Sequence, residues 1–131
     1  EKPIELHTDP RKLRQILVNL IANAVKFTDA GDVVVVLRVA GLDADIRVYI
    51  EVTDTGRGIA PADEDHIFDA FWQGDSRTPH VEGGTGLGLP VARQLARLLG
   101  GDVTVMRTAV GFGSTFVVSL PERYGGRFSG A

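Results

Sequence analysis

Asn19, Asn23 and Lys26 sit four and then three residues apart within NLIANAVKFT, Asn19 to Thr28. On a helix turning about 100° per residue they share one narrow sector, bordering a stripe of Leu13, Ile16, Leu17 and Leu20. An amide oxygen can ligate Mg2+ and an ammonium can pair with phosphate, so this face suits a metal-bound phosphate ligand. Asparagine is a mediocre helix former, and two within one turn ask for a reason. Two amides that merely face solvent are the plain alternative.

A carboxylate follows on a later element. Ile46, Val48, Ile50 and Val52 alternate with polar residues, and Asp54 continues their parity. If strand geometry persists that far, its side chain turns toward the core. A buried carboxylate is costly without a donor, and the exocyclic amino group of a nucleobase would serve. The other reading ends the strand earlier and leaves Asp54 to open the D-T-G-R-G turn, where Asp and Gly are ordinary.

Glycine forms three clusters: Gly56 and Gly58; Gly84, Gly86 and Gly88; Gly111 and Gly113. Singly, each is more often just a turn, but all permit close approach of backbone to a ligand. The second lies in EGGTGLGLPVARQLARLLGG, Glu82 to Gly101. There a glycine-rich turn feeds a helix whose free N–H groups and dipole favour an anion. No GKS or GKT follows, and the spacing is not G-x-G-x-x-G, so the P-loop and dinucleotide patterns both fail.

The elements that must carry these residues follow from periodicity and punctuation. Ile4 to His7 reads as a short edge strand. Asp9-Pro10 reads as an N-cap followed by proline at the first helical position, opening a helix from Pro10 to Phe27. Thr28 to Asp32 is a turn. Val33 to Val39 and Ile46 to Val52 are strands around a Gly41 to Ala44 turn. Asp54 to Pro61 is a loop, Glu64 to Phe71 a short helix, and Gln73 to Gly86 a polar, glycine-bearing loop. A second long helix, Leu87 to Leu99, stops at Gly100-Gly101. Asp102 to Thr108 and Ser114 to Leu120 are two more strands. The order predicts an α+β, two-layer α/β sandwich: a mixed, mainly antiparallel sheet with helices on one face.

At 131 residues the chain is one domain, large enough for its own core. Residues 1–121 are expected to form it, and 122–131 a tail or linker. A net charge of −3 gives no reason to expect nucleic-acid binding. The absence of cysteine excludes disulfides and thiolate metal sites. No apolar run reaches the length of a membrane span, and no direct membrane contact is expected. The chain opens on Glu1 rather than Met and is expected to be a piece of a longer protein.

Together these features resemble the catalytic ATP-binding domain of bacterial sensor histidine kinases, in the superfamily shared with gyrase, Hsp90 and mismatch-repair ATPases. The matching segments run in order. NLIANAVKFT matches the N box, DTGRGI (Asp54 to Ile59) the first glycine box, and IFDAFWQ (Ile67 to Gln73) the F box. GTGLGL (Gly84 to Leu89) matches the second glycine box and GFGSTF (Gly111 to Phe116) the third.

The resemblance implies a Bergerat-type ATP-binding fold and a set of roles. Asn23 would ligate Mg2+, with Asn19 near the phosphates. Lys26 would hold a phosphate, and Phe27 and Ile59 would line the pocket. Asp54 would accept the adenine amino hydrogen, with Gly56 and Gly58 passing close to the base. Gly84, Thr85, Gly86, Leu87 and Gly88 would meet the phosphates through backbone groups. Arg77, in the stretch corresponding to the ATP lid, would reach the γ-phosphate, unless it is a solvated loop arginine. His80, Val81 and Glu82 stand where family lids often carry basic residues. Phe68, Phe71 and Trp72 would anchor the lid or a partner helix, or serve the core. Ser114 and Thr115 are both open as further contacts.

The implied activity is transfer of the γ-phosphoryl group of Mg2+-ATP to a histidine on a separate dimerisation hairpin, for relay to a response-regulator aspartate. His7, His66 and His80 match no acceptor motif and no metal-ligand spacing. The resemblance implies a cytoplasmic domain, whether or not its parent is anchored in a membrane. Hydrolysing relatives carry glutamate one turn before the Mg2+ asparagine, whereas this chain has Asn19, which is no base near neutral pH. The alternatives are a regulatory nucleotide-binding module without transferase activity and a serine kinase of the anti-sigma type.

Overall fold

The structure, a computed structural model, describes residues 5–42, 45–70 and 87–124. Helix α1, Pro10–Lys26, begins where the sequence places it. Asp9 Oδ1 accepts the N–H groups of Arg11 at 2.9 Å and Lys12 at 3.3 Å, relieving two of the helix's orphan donors. The helix ends one residue short of the expected Phe27, which caps it. Ile16, Leu20 and Ala24 form its buried line, the face that periodicity predicts.

Strands β1 (Val33–Ala40), β2 (Arg47–Asp54), β3 (Asp102–Ala109) and β4 (Gly113–Pro121) form one sheet in the order β1-β2-β4-β3. All three pairings are antiparallel. Helix α2, Gly88–Leu98, packs beside α1, and both helices pack against the sheet. Between the layers lie Val48, Ile50 and Val52 of β2, Phe116, Val118 and Leu120 of β4, and Val103 of β3. Ala92 and Ala96 of α2 are fully buried, and residues that small let a helix approach its neighbours closely. The expected sandwich is therefore present. β1 is an edge strand, and its Val34, Val35, Val36, Leu37 and Val39 remain exposed.

Two expected elements differ. Of the edge strand expected at Ile4 to His7, Ile4 lies outside the described residues, and among the rest only His7 is bridged, in parallel to Arg123. His7 N–H donates to Glu122 O at 2.8 Å and its carbonyl accepts Tyr124 N–H at 2.9 Å. The cap at Asp9 turns the chain into α1 directly afterwards. The segment expected as a helix from Glu64 runs instead as successive turns through the described residues to Ala70. Its bonds span three residues: Glu64 N–H to Pro61 O, His66 N–H to Asp63 O and Asp69 N–H to His66 O. Asp63, Glu64 and Asp65 are adjacent, and Ile67 is the one buried residue of the segment among the described residues, so little apolar surface rewards a regular helix.

Asp102 joins the end of α2 to the start of β3. Its Oδ1 accepts from Arg93 Nε and Arg97 Nε, each at 3.1 Å, and from Val103 N–H at 2.8 Å. Burial pushes the carboxyl pKa up, but the hydrogen bonds from Val103, Arg93 and Arg97 outweigh it and hold the group below its ordinary 3.8. A depressed folded-state value stabilises above the unfolded pKa and is lost as pH falls through the folded one. Asp102→Asn should therefore lower stability at pH 7, by at most about 1 kcal/mol because the group is partly exposed and screened. In thermal melts the gap to the unsubstituted chain should close as pH drops below about 4.

Candidate functional site

The helical sector that carries Asn19, Asn23 and Lys26 flanks the core line of α1 on the side of α2. Asn19 Nδ2 donates to the carbonyl of Gly88 in the first turn of α2 at 3.1 Å. Its Oδ1 accepts from Gln15 Nε2 at 2.6 Å, so both ends of the amide are engaged. Asn23 differs: among the described residues no hydrogen bond reaches its side chain. Lys26 Nζ lies 5.3 Å from the centroid of the Phe27 ring and pairs with no carboxylate among the described residues. An uncommitted amide and an uncommitted ammonium thus follow each other by three residues on one face.

β2 keeps strand geometry through Asp54, two residues past the expected end at Val52. The alternation therefore carries through, and Asp54 is 4% exposed. Oδ1 accepts the Gly56 N–H at 2.9 Å, while no donor among the described residues meets Oδ2. Asp54 stands opposite Ser114 on β4. Thr115 lies on the other face and pairs with Thr53, Oγ1 to Oγ1, at 3.0 Å.

The loop after Asp54 is pinned from two sides. Arg57 N–H donates to the Phe27 carbonyl at 3.3 Å, and a Cβ on Gly56 would come within 2.1 Å of that same oxygen. Gly58 has φ +70°, and a Cβ there would meet Ala109 O at 2.1 Å. The Arg57 carbonyl accepts Gly111 N–H at 2.9 Å. The first glycine pair thus makes its close approaches to the protein's own backbone, at the end of α1 and at the β3–β4 turn. Ile59, packed against the core, donates its N–H to Thr108 Oγ1 at 2.9 Å. The Phe27 ring has the Arg57 guanidinium 5.3 Å from its centroid.

At the start of α2, Leu87 occupies the cap position. A Cβ on Gly88 would meet nothing within 4 Å. Arg77, Gly84, Thr85 and Gly86 lie outside the described residues, as do Phe71, Trp72 and the His80-Val81-Glu82 stretch. Phe68 is described: its ring lies under the Arg93 guanidinium, 4.0 Å from the centroid.

Gln15, Arg57 and Thr108 were not among the sequence candidates. The spacing of Gln15, one turn before Asn19, was the available signal for the first. Arg57 and Thr108 announce themselves only through contacts distant in sequence. Among the described residues no group of three or more His, Cys, Asp or Glu side chains could hold a metal ion. The donor set fits Mg2+ in one way only, as an ion that keeps water and phosphate oxygens and takes a single protein ligand. The Asn23 amide is of that kind.

Both the architecture and these residues define a nucleotide-binding domain of one family. Residues 8–124 match the model for "Histidine kinase-, DNA gyrase B-, and HSP90-like ATPase", and the chain belongs to that family. It is 46% identical over 115 residues, 88% of its length, to the circadian input-output histidine kinase CikA of Synechococcus elongatus. It spans 15% of CikA's own length. Full-length ShkA, solved in complex with AMPPNP, superposes with a TM-score of 0.65 at 41% identity, over 84% of this chain and 21% of that one. The mycobacterial sensor histidine kinase MprB superposes with a TM-score of 0.72 at 27% identity, over 91% of this chain and 78% of that one. No helix among the described residues is long and apolar enough to cross a membrane.

Gly58→Ala tests the pinned loop. A side chain at positive φ against Ala109 O should cost roughly 1–3 kcal/mol, read as a lowered melting temperature. An alanine variant as stable as the parent would show that the loop is free to move aside.

Proposed function

We propose that this domain binds Mg2+-ATP beside Asp54, α1 and the start of α2, and donates the γ-phosphoryl group to a histidine on a separate helical hairpin of the parent protein, for relay to a response-regulator aspartate. The observation that carries the reading is Asp54 itself: a carboxylate 4% exposed, with Oδ2 unmet among the described residues. A nearly buried carboxylate with one oxygen lacking a donor favours a ligand that brings one. The amino group of adenine would meet that need, and a 6-oxo purine would present a repelling oxygen instead.

The remaining roles follow from what each residue leaves uncommitted. Asn23 would give its oxygen to Mg2+, which supplies charge neutralisation at the phosphates when bound. Lys26 would pair with a phosphate oxygen, as an ammonium that meets no carboxylate among the described residues can. Leu87 and Gly88, at the start of α2, would meet the phosphates through backbone groups, with the helix dipole favouring the anion. Gly84, Thr85 and Gly86 would extend that cradle, and Arg77 would stabilise charge on the transferring group. Phe27 and Ile59 would line the pocket, with Gly56 and Gly58 holding the loop where it can do so.

Asn19 supports transfer over hydrolysis. An amide is no general base, and this one already donates to Gly88 and accepts from Gln15. A neutral imidazole is nucleophilic without activation, so the protein's task is to position and to neutralise.

Two measurements test the reading. Asp54→Asn should weaken ATP binding by about tenfold while easing that of inosine triphosphate, since an amide can donate to the 6-oxo group. Titration of both nucleotides reads the change, and unchanged affinities would refute the role. Labelled ATP, Mg2+ and the hairpin of the same parent should yield an acid-labile, alkali-stable phosphohistidine. An acid-stable label would point to a hydroxyl acceptor instead.

A further inference from the structure

β3 and β4 pair in one register up to Val105 opposite Phe116, and in another from Arg107 opposite Thr115. Met106 is the extra residue, a β-bulge of one. Val103 and Val105 face the helices, opposite Val118 and Phe116. Without the bulge the next inward residue would be Arg107, opposite Ser114. With it, Arg107 turns outward and Thr108 stands opposite Ser114, which itself stands opposite Asp54. Asp54, Ser114 and Thr108 thus form one row across three strands on the helix-facing side.

The shift is chemically decisive. A guanidinium in that row would be drawn to the Asp54 carboxylate and would fill the acceptor a purine needs. A hydroxyl leaves the carboxylate unclaimed and does something a cation could not. Thr108 Oγ1 accepts the Ile59 N–H at 2.9 Å, lies 2.8 Å from Ser114 Oγ and 3.3 Å from the Gly113 carbonyl. One hydroxyl has a single hydrogen. When Thr108 donates it to Gly113 O, Ser114 can donate to Thr108 and turns lone pairs to the pocket. When Thr108 donates to Ser114, the Ser114 hydrogen is released beside Asp54, where adenine presents a ring-nitrogen acceptor next to its amino group.

We propose that Thr108, brought into line by the bulge at Met106, is a positioning residue for purine recognition: it anchors the Ile59 end of the glycine loop and sets whether Ser114 offers a hydrogen or a lone pair beside Asp54. The inference rests on the reading of this site as a nucleotide pocket. It acts through Ile59 and Ser114, with no contact of its own to the base.

The test compares Thr108→Val, which keeps the shape and removes the hydroxyl, with Thr108→Ser, which keeps it. Affinities for ATP and inosine triphosphate and the melting temperature are measured for each, with Asp54→Asn alongside. The valine variant should lose roughly tenfold in ATP affinity and less for inosine triphosphate, narrowing the preference, and serine should restore it. Should valine prevent folding, Thr108→Ala is read in the same way. Equal losses for both nucleotides that track the melting temperature would overturn the proposal and leave Thr108 a framework residue. Wild-type preference in the valine variant, with Asp54→Asn impaired, would overturn it while sparing the pocket. If Asp54→Asn also binds both nucleotides unchanged, the pocket reading falls and the proposal with it.

Discussion

A carboxylate almost shut off from solvent accepts the Gly56 N–H on one oxygen and meets no donor among the described residues on the other, and the site is arranged around it. Much of the surrounding architecture keeps that oxygen available. β2 runs unbroken to Asp54 so that strand parity aims it inward. The facing strand supplies a serine, and the strand beyond supplies a threonine only because its register slips by one. Lys26 and Arg57 lie over the Phe27 ring.

The glycine clusters acquire a mechanical meaning from this. Gly111 donates its N–H to the carbonyl of Arg57, and Gly58 passes under Ala109 with no room for a side chain. The β3–β4 turn therefore clamps the loop that follows Asp54. The end of α1 clamps it from the other side through the Phe27 carbonyl and Arg57 N–H. A loop held at both flanks can present a backbone edge to a flat ring without ordering itself at each binding event, which lowers the entropic cost of association.

Local rules made much of this legible before any coordinates. The Asp9-Pro10 cap, the Ile16/Leu20/Ala24 line, the alternation of β2 and the Gly100-Gly101 stop each follow from propensity or period. The inward aim of Asp54 was readable too, because strand parity needs only that the strand continue. What sequence could not supply was anything set by pairing between distant segments. The Met106 bulge is invisible in DVTVMRTA, since a bulge belongs to two strands at once. Thr108 was consequently read as the last residue of a strand and nothing more. Glu64 to Phe71 reads as a short helix in the sequence, but in its described part three adjacent acids and little buried apolar surface leave successive turns instead.

Asn19 stitches one helix to the first turn of the other through a hydrogen that only an amide at that spot can give. An acidic residue in its place would gain a proton acceptor and lose the stitch, setting a negative charge against the Gly88 carbonyl. The identity at this one position is therefore a fork: a chain can keep its helices fastened and leave water idle, or recruit water and find another fastening. This chain carries the amide and its fastening to Gly88.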